Sequence, residues 1–333
     1  MVEARVNGKG PFRFILDFGS NVISVKKSVA SALGATVLQE RNGRQLLHLD
    51  SLELGEAVFE DVVARTDPEG LDGDGVLGFG LFREGLVTLD YPQRRLVLSK
   101  GSLPPVDGQE VLAYELVERM PHLPVSVGGE TFLFNFDTGA GNTWLSLPQH
   151  MATRLELVRP AVPGPLISNT GDDWVRRVQV GRAARDFTFG AHVVSRPRVH
   201  FVPDEDDPNG GYFLMGDLLL REFTLTFDLH HQRVRMERPR GTPIEVPPLR
   251  TAGVRMERSA GKWRITDVIP GTPAERLGVR TGAELLSAGD TPASELSDTG
   301  WKALVDTQPS VVLTLRQEEG ERTFELPIVA LGE

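Results

Sequence analysis

The 333-residue chain has no cysteine at all. Disulfides, thiolate catalysis and cysteine-based zinc sites are therefore excluded. It also lacks a dense Lys/Arg tract. With 36 basic against 46 acidic residues, a formal net charge of −10, it has little to neutralise a phosphate backbone with, so no nucleic-acid partner is expected. Apolar runs such as Val311-Val312-Leu313 are far too short to span a bilayer, and no integral membrane segment is expected. The seven histidines include one close pair, His230-His231, and neighbours on a strand point to opposite faces. No metal and no cofactor are expected. No Gly-X-Y or heptad period is sustained. Met1 to Val6 alternates like a strand and lacks the apolar stretch of a signal peptide, so the sequence assigns no compartment.

What is present is punctuation. The chain has 35 glycines and 23 prolines between short alternating segments, which argues a mostly β fold. Linkers are expected at Gly101-Ser102-Leu103-Pro104-Pro105 and at Pro239 to Pro243 with Pro247-Pro248 after it. An exposed acidic loop is expected from Asp204 to Gly211.

The chain also repeats itself. At an offset of 138, residues 78–98 match 216–236 without a gap, and seven of the 21 positions are identical, among them Gly78/Gly216, Thr88/Thr226 and Asp90/Asp228. Upstream, Val6-Asn7-Gly8 precedes Phe14-Ile15-Leu16-Asp17-Phe18-Gly19-Ser20, and Val127-Gly128-Gly129 precedes Phe134-Asn135-Phe136-Asp137-Thr138-Gly139-Ala140. Each reads as a hairpin feeding an apolar strand that ends in Asp-x-Gly, followed by a short helix. The first helix carries Val29, Ala32 and Leu33 with Gly34 as its stop. The second has Pro148 near its start and Met151 and Leu155 on one face. Two similar units are expected, 1–100 and 109–238. A tail at 249–331 has a different rhythm: strands at 253–256 and 263–268, a helix from Pro273 to Gly278, and strands near 284–287 and 311–315.

One Asp from each repeat, at the same place in each, suits general acid–base chemistry. Held about 3 Å apart, two carboxylates cannot both ionise and share one proton. Asp17 and Asp137 are the candidate pair. Glycine after each lets the backbone turn beside the carboxylate. Asp90 and Asp228 also match across the repeat, but each precedes a turn and reads as turn-stabilising. Arg83-Glu84 and Arg221-Glu222 read as solvated pairs. Asp17-Phe18-Gly19 copies the kinase metal-binding tripeptide, yet only 16 residues precede it. Gly73 to Gly78 fits G-x-G-x-x-G, yet strand and turn follow where a dinucleotide site needs a helix.

On these residues the chain resembles the aspartic peptidases, in particular bacterial retropepsin-like proteins with two lobes and a C-terminal PDZ domain. Asp137-Thr138-Gly139-Ala140 matches the family motif, and Val76-Leu77-Gly78 and Leu214-Met215-Gly216 match the segments that cross behind the catalytic loops. The tail resembles a PDZ domain through Val268 to Ala274, Leu277-Gly278-Val279, and Thr281-Gly282 before Leu285-Leu286. The resemblance implies a mostly β fold of two pseudo-symmetric lobes and a PDZ domain, a partly open barrel with short helices. It implies a metal-independent endopeptidase with Asp17 and Asp137 as catalytic residues. Gly19, Ser20, Thr138, Gly139 and Ala140 would support the catalytic loops, Ser20 through a hydrogen bond to Asp17. The substrate would be a peptide or protein lying extended against flap hairpins. The PDZ domain would hold a peptide terminus at the loop Thr251-Ala252-Gly253-Val254. No homodimer is needed to build the site. The resemblance also implies export to the cell envelope, which would require a leader.

The first repeat departs from the pattern. Phe18 stands where the family has Thr or Ser, so Thr138 is expected to lose a partner in the hydroxyl network beneath the dyad. The ring either borders the carboxylates and raises their pKa values, or fills the core of the first lobe. No tyrosine lies in 36–50, and the flap there is expected to turn near Asn42-Gly43. A binding protein that has lost turnover, acting through its PDZ domain, is the alternative function.

Overall fold

The computed structural model describes residues 1–67, 73–168, 175–204, 213–239, 243–259 and 261–333. Most of the acidic loop expected at 204–211 and the middle of the second expected linker lie outside the described residues.

The first repeat contains β1 (Val2–Val6), β2 (Lys9–Asp17), β3 (Ile23–Lys26), α1 (Lys27–Leu33), β4 (Thr36–Arg41), β5 (Arg44–Leu54), β6 (Ala57–Asp67) and β7 (Gly75–Gly78), followed by β8 (Leu86–Asp90) and β9 (Arg95–Ser99). Gly34 closes α1 in the left-handed region at φ 65°. Ala30, not the expected Ala32, is buried beside Val29 and Leu33. The second repeat contains β10 (Val111–Ala113), β11 (Glu115–Val117), β12 (Met120–Val127), β13 (Glu130–Asp137), β14 (Leu145–Pro148), α2 (Met151–Arg154), β15 (Val162–Ser168) and β16 (Val175–Arg182). It continues through β17 (Phe187–Phe189), β18 (His192–Ser195), β19 (Arg198–Val202), β20 (Leu214–Gly216), α3 (Asp217–Leu220), β21 (Thr224–Asp228) and β22 (Arg233–Glu237). Pro148 ends a strand and does not start α2.

The two repeats share one strand order. The first sheet runs β1-β2-β7-β3-β6-β5-β4. The second contains β12-β13-β20-β14-β19-β16-β15, extended beyond β12 by β17, β18 and β23 (Ile244–Glu245). The directions match as well: β2–β7 and β13–β20 are parallel, as are β3–β6 and β14–β19. A five-stranded sheet, β10-β22-β21-β8-β9, joins the repeats. At its centre β8 and β21 pair antiparallel, with Thr88 opposite Thr226. One continuous apolar core runs through both repeats. The expected first linker is not free: the Leu103 N–H donates to Asp228, and Arg233 binds the Leu103 carbonyl.

The C-terminal part begins with β24 (Leu249–Thr251) and continues with β25 (Val254–Ser259), β26 (Lys262–Val268), α4 (Pro273–Arg276), β27 (Glu284–Ala288), β28 (Thr291–Pro292), α5 (Asp298–Thr307), β29 (Ser310–Gln317), β30 (Gly320–Pro327) and β31 (Val329–Leu331). Its sheet runs β25-β26-β27-β29-β30, and its separate core is built on Trp263, Ile265, Leu285, Leu313 and Leu326. The sequence reading missed α5, although Ser297 caps it by accepting from the Gly300 N–H. Trp301 and Leu304 pack against that core, and Val305 is the buried residue of the helix.

Candidate active site

Strands β2 and β13 each end at an aspartate. Each is held in place by a parallel neighbour, with Asp17 opposite Gly78 and Asp137 opposite Gly216. These two glycines lie where a side chain has no room: a Cβ on Gly78 would come within 2.5 Å of the Val22 carbonyl, and one on Gly216 would overlap the Thr143 carbonyl. The crossing segments also fasten the aspartate loops. Phe79 N–H donates to the Ser20 carbonyl, and Asp217 N–H to the Ala140 carbonyl.

The Asp17 and Asp137 carboxyl groups meet where the two loops pack together, each close enough to act on the other's ionisation. The glycine of each loop covers the other loop's carboxylate. A Cβ on Gly19 would sit 2.6 Å from the Asp137 carboxyl carbon, and one on Gly139 would sit 2.5 Å from that of Asp17. Only glycine lets the two loops come this close. The Gly19 N–H donates to Asp17 Oδ1 at 2.9 Å. Gly139 and Ala140 N–H groups donate to Asp137 Oδ1 at 3.0 and 2.8 Å. Burial pushes Asp137 up to about 8, with the neighbouring Asp17 charge adding to the rise. Burial raises Asp17 as well, against the hydrogen bonds it accepts. Such a pair holds a proton well above the ordinary carboxylate range.

Three expectations need correction. Thr138 is not short of a partner. Its hydroxyl accepts from the Phe18 N–H at 2.9 Å and donates to the Leu16 carbonyl at 2.8 Å, so the first repeat's backbone satisfies it. Ser20 Oγ accepts from the Val22 N–H, while the short-range bond to Asp17 comes from Gly19. Phe18 is fully buried, but in a core shared by both repeats: its ring packs on Phe79 at 5.1 Å, Phe82 at 5.7 Å and Phe227 of the second repeat at 5.0 Å.

Asp90 and Asp228 accept the N–H groups of Gln93 and His231 within their turns. Arg221 is not a free surface charge; it is paired with the buried Asp217. The Tyr91 hydroxyl reaches that same carboxylate from the first repeat, and burial pushes the Tyr91 phenol up. Sequence reasoning missed this contact because it breaks the repeat: Asp217 matches Phe79, and Tyr91 matches Leu229. The β4–β5 hairpin turns at Asn42 and Gly43, both at positive φ. A separate groove of about 820 Å³, lined by Ile23, Phe59, Phe82 and Leu98, includes neither aspartate.

In the C-terminal part, Gly253 sits at φ +82°, packed on Thr272 and Ala274. Its N–H is taken by the Thr251 hydroxyl at 3.0 Å and its carbonyl by the Ile269 N–H, so this amide is not free for a carboxylate. Ala252 and Val254, on either side, are buried. Among the described residues no cluster of His, Asp and Glu could hold a metal ion, and no helix is long and apolar enough to cross a membrane.

Comparison with curated proteins returned no match. Residues 2–81, which carry Asp17, Gly19 and the crossing segment at Gly78, match the family model described as aspartyl protease. The chain thus contains an aspartyl protease-like domain of mostly β structure.

Proposed function

We propose that the chain is an aspartic endopeptidase in which Asp17 and Asp137 form one catalytic dyad. Residues 1–100 and 109–238 are read as its lobes, and 249–331 as a PDZ domain. The observation that carries this reading is the meeting of the two carboxyl groups, each roofed by the other repeat's glycine. With one proton on the pair, the ionised carboxylate takes a proton from a water held between them. The water oxygen bonds to the scissile carbonyl carbon while the protonated carboxyl donates to the carbonyl oxygen. The tetrahedral diol then gives a hydroxyl proton to the carboxylate that is now ionised, the other carboxyl passes the proton it took from water to the leaving nitrogen, and the C–N bond breaks, which leaves one proton on the pair. Gly19, Gly139 and Ala140 orient the carboxylates through their N–H groups, and Thr138 ties the two loops together.

The substrate is a peptide or protein in extended form, pairing through its backbone with the hairpins. The PDZ reading of the tail gains support from β25, which lies at the edge of its sheet and so can accept an added peptide strand. A binding protein without turnover, acting through its PDZ domain, is the second reading; its ground is Phe18, which stands where the resembled family has Thr or Ser. Cleavage of a peptide library between pH 3 and 8 decides between them. The peptidase reading expects products from the intact chain and none from Asp137→Asn. Equal cleavage by that variant would remove Asp137 from the chemistry, and no cleavage by either would leave the binding reading.

A further inference from the structure

The C-terminal part packs on the second repeat. It is fastened to one hairpin, β15–β16, which occupies in the second repeat the place of β4–β5 in the first. Arg177 on β16 makes a bidentate pair with Asp267 on β26, at 2.5 and 3.0 Å, and also donates to the Gly164 carbonyl on β15. Asp267 is 4% exposed while Arg177 is partly open to solvent, so the pair is only partly screened by salt. Arg255 on β25 donates to the Leu166 carbonyl on β15. Behind these bonds, Val178 and Val180 of the hairpin join Val202, Ile269 and Leu331 in a small apolar cluster of their own. Gly332 lies flush on the strand, where a Cβ would come within 2.7 Å of the Val180 side chain.

Both strands of the hairpin are therefore held from outside, by groups that contribute nothing to the dyad. In the first repeat's hairpin, by contrast, β4 is exposed along its whole length. Building on the peptidase reading, we infer that the C-terminal part sets the position of the β15–β16 hairpin over the substrate, with Arg177 and Asp267 as positioning residues. The hairpin contributes to the binding of an extended chain, so loosening it weakens substrate binding more than it slows the chemical step. A contact that served only to stabilise the fold would not divide its effect in this way.

The test compares the full chain with Asp267→Ala, Arg177→Gln and the charge-exchanged pair Arg177→Asp with Asp267→Arg. Two readouts are used: hydrogen exchange over 162–168 and 175–182, and steady-state cleavage of the best peptide from the library. The expected result is exchange in those strands faster by about tenfold, KM raised roughly five- to tenfold and kcat within about twofold, with partial recovery in the exchanged pair. Should Asp267→Ala fail to fold, Arg255→Met removes a bond from a half-exposed side chain and carries the same expectations in weaker form. Unchanged exchange in folded variants overturns the inference, as does a loss confined to kcat. Faster exchange in a chain that cleaves nothing would instead sink the peptidase reading and leave the clamp standing.

Discussion

Thr88 and Thr226, equivalent positions of the two repeats, face each other across the β8–β21 pair with their hydroxyls 2.9 Å apart. The register is symmetric about them: Leu86 lies opposite Asp228 and Asp90 opposite Thr224. The approximate twofold axis relating the repeats therefore passes between these two side chains, and the same symmetry brings Asp17 to Asp137. Removing one hydroxyl leaves its partner unpaired, whereas removing both leaves none. Thr226→Val is expected to cost about 1–2 kcal/mol, and Thr88→Val with Thr226→Val less than the two single costs added. Urea unfolding of the four proteins measures the difference; strict additivity would show that the bond contributes nothing.

Thr138 is the hydroxyl that joins the loops. Thr138→Val leaves the Phe18 N–H and the Leu16 carbonyl without their partner, at about 1–3 kcal/mol. Because those groups set the spacing of the aspartates, cleavage is expected to fall by at least tenfold through kcat, with Thr138→Ser keeping most of it. A valine variant as active as the parent would contradict this.

Phe18 acts through packing. Its three ring contacts predict that Phe18→Thr costs about 2–4 kcal/mol in denaturant unfolding. The pH profile of cleavage is expected to keep its shape, since the ring's partners are other core rings. A profile shifted toward acid would return the ring to the edge of the dyad.

Two groups pull the pH dependence of stability in opposite directions. Asp137, raised to about 8, keeps its proton in the folded chain where the unfolded chain has lost it. The folded state then binds more protons, so this contribution is full below about pH 4 and is lost as pH rises toward 8. Asp137→Asn removes the term and is expected to flatten the decline on the neutral side. A wild-type chain and variant with parallel curves between pH 5 and 8 would contradict the shift.

His200 works the other way. It is buried in β19 beside Arg198, its Nε2 has no partner among the described residues, and burial pushes it down to about 3. The unfolded chain takes up the proton first, so stability falls as pH drops from about 6.5 toward 3. His200→Leu is expected to be more stable than the parent at pH 4–5, with the gap closing by pH 7. Thermal unfolding across that range measures it; a gap independent of pH would exclude titration as the cause.

Much of this was legible in the chain itself. The repeat, the paired Asp-x-Gly turns and the apolar-Gly segments are local patterns, and local patterns write themselves into sequence because each strand must alternate and each tight turn needs glycine. So the mostly β fold and the candidate aspartates could be read without coordinates, and so could the α1 stop at Gly34. Contacts between distant segments could not. Thr138 finds its partners in the backbone of residues 16 and 18, and backbone groups carry no residue signature. Phe18, Phe79, Phe82 and Phe227 look alike as apolar letters; only the packing of one repeat on the other put them in a common core. The Arg177–Asp267 pair spans 90 positions, and nothing in either neighbourhood names the other. Sequence determined which elements form and where the carboxylates end. Tertiary packing decided what those carboxylates and the β15–β16 hairpin are held by, because burial and hydrogen-bond partners are properties of the assembled fold.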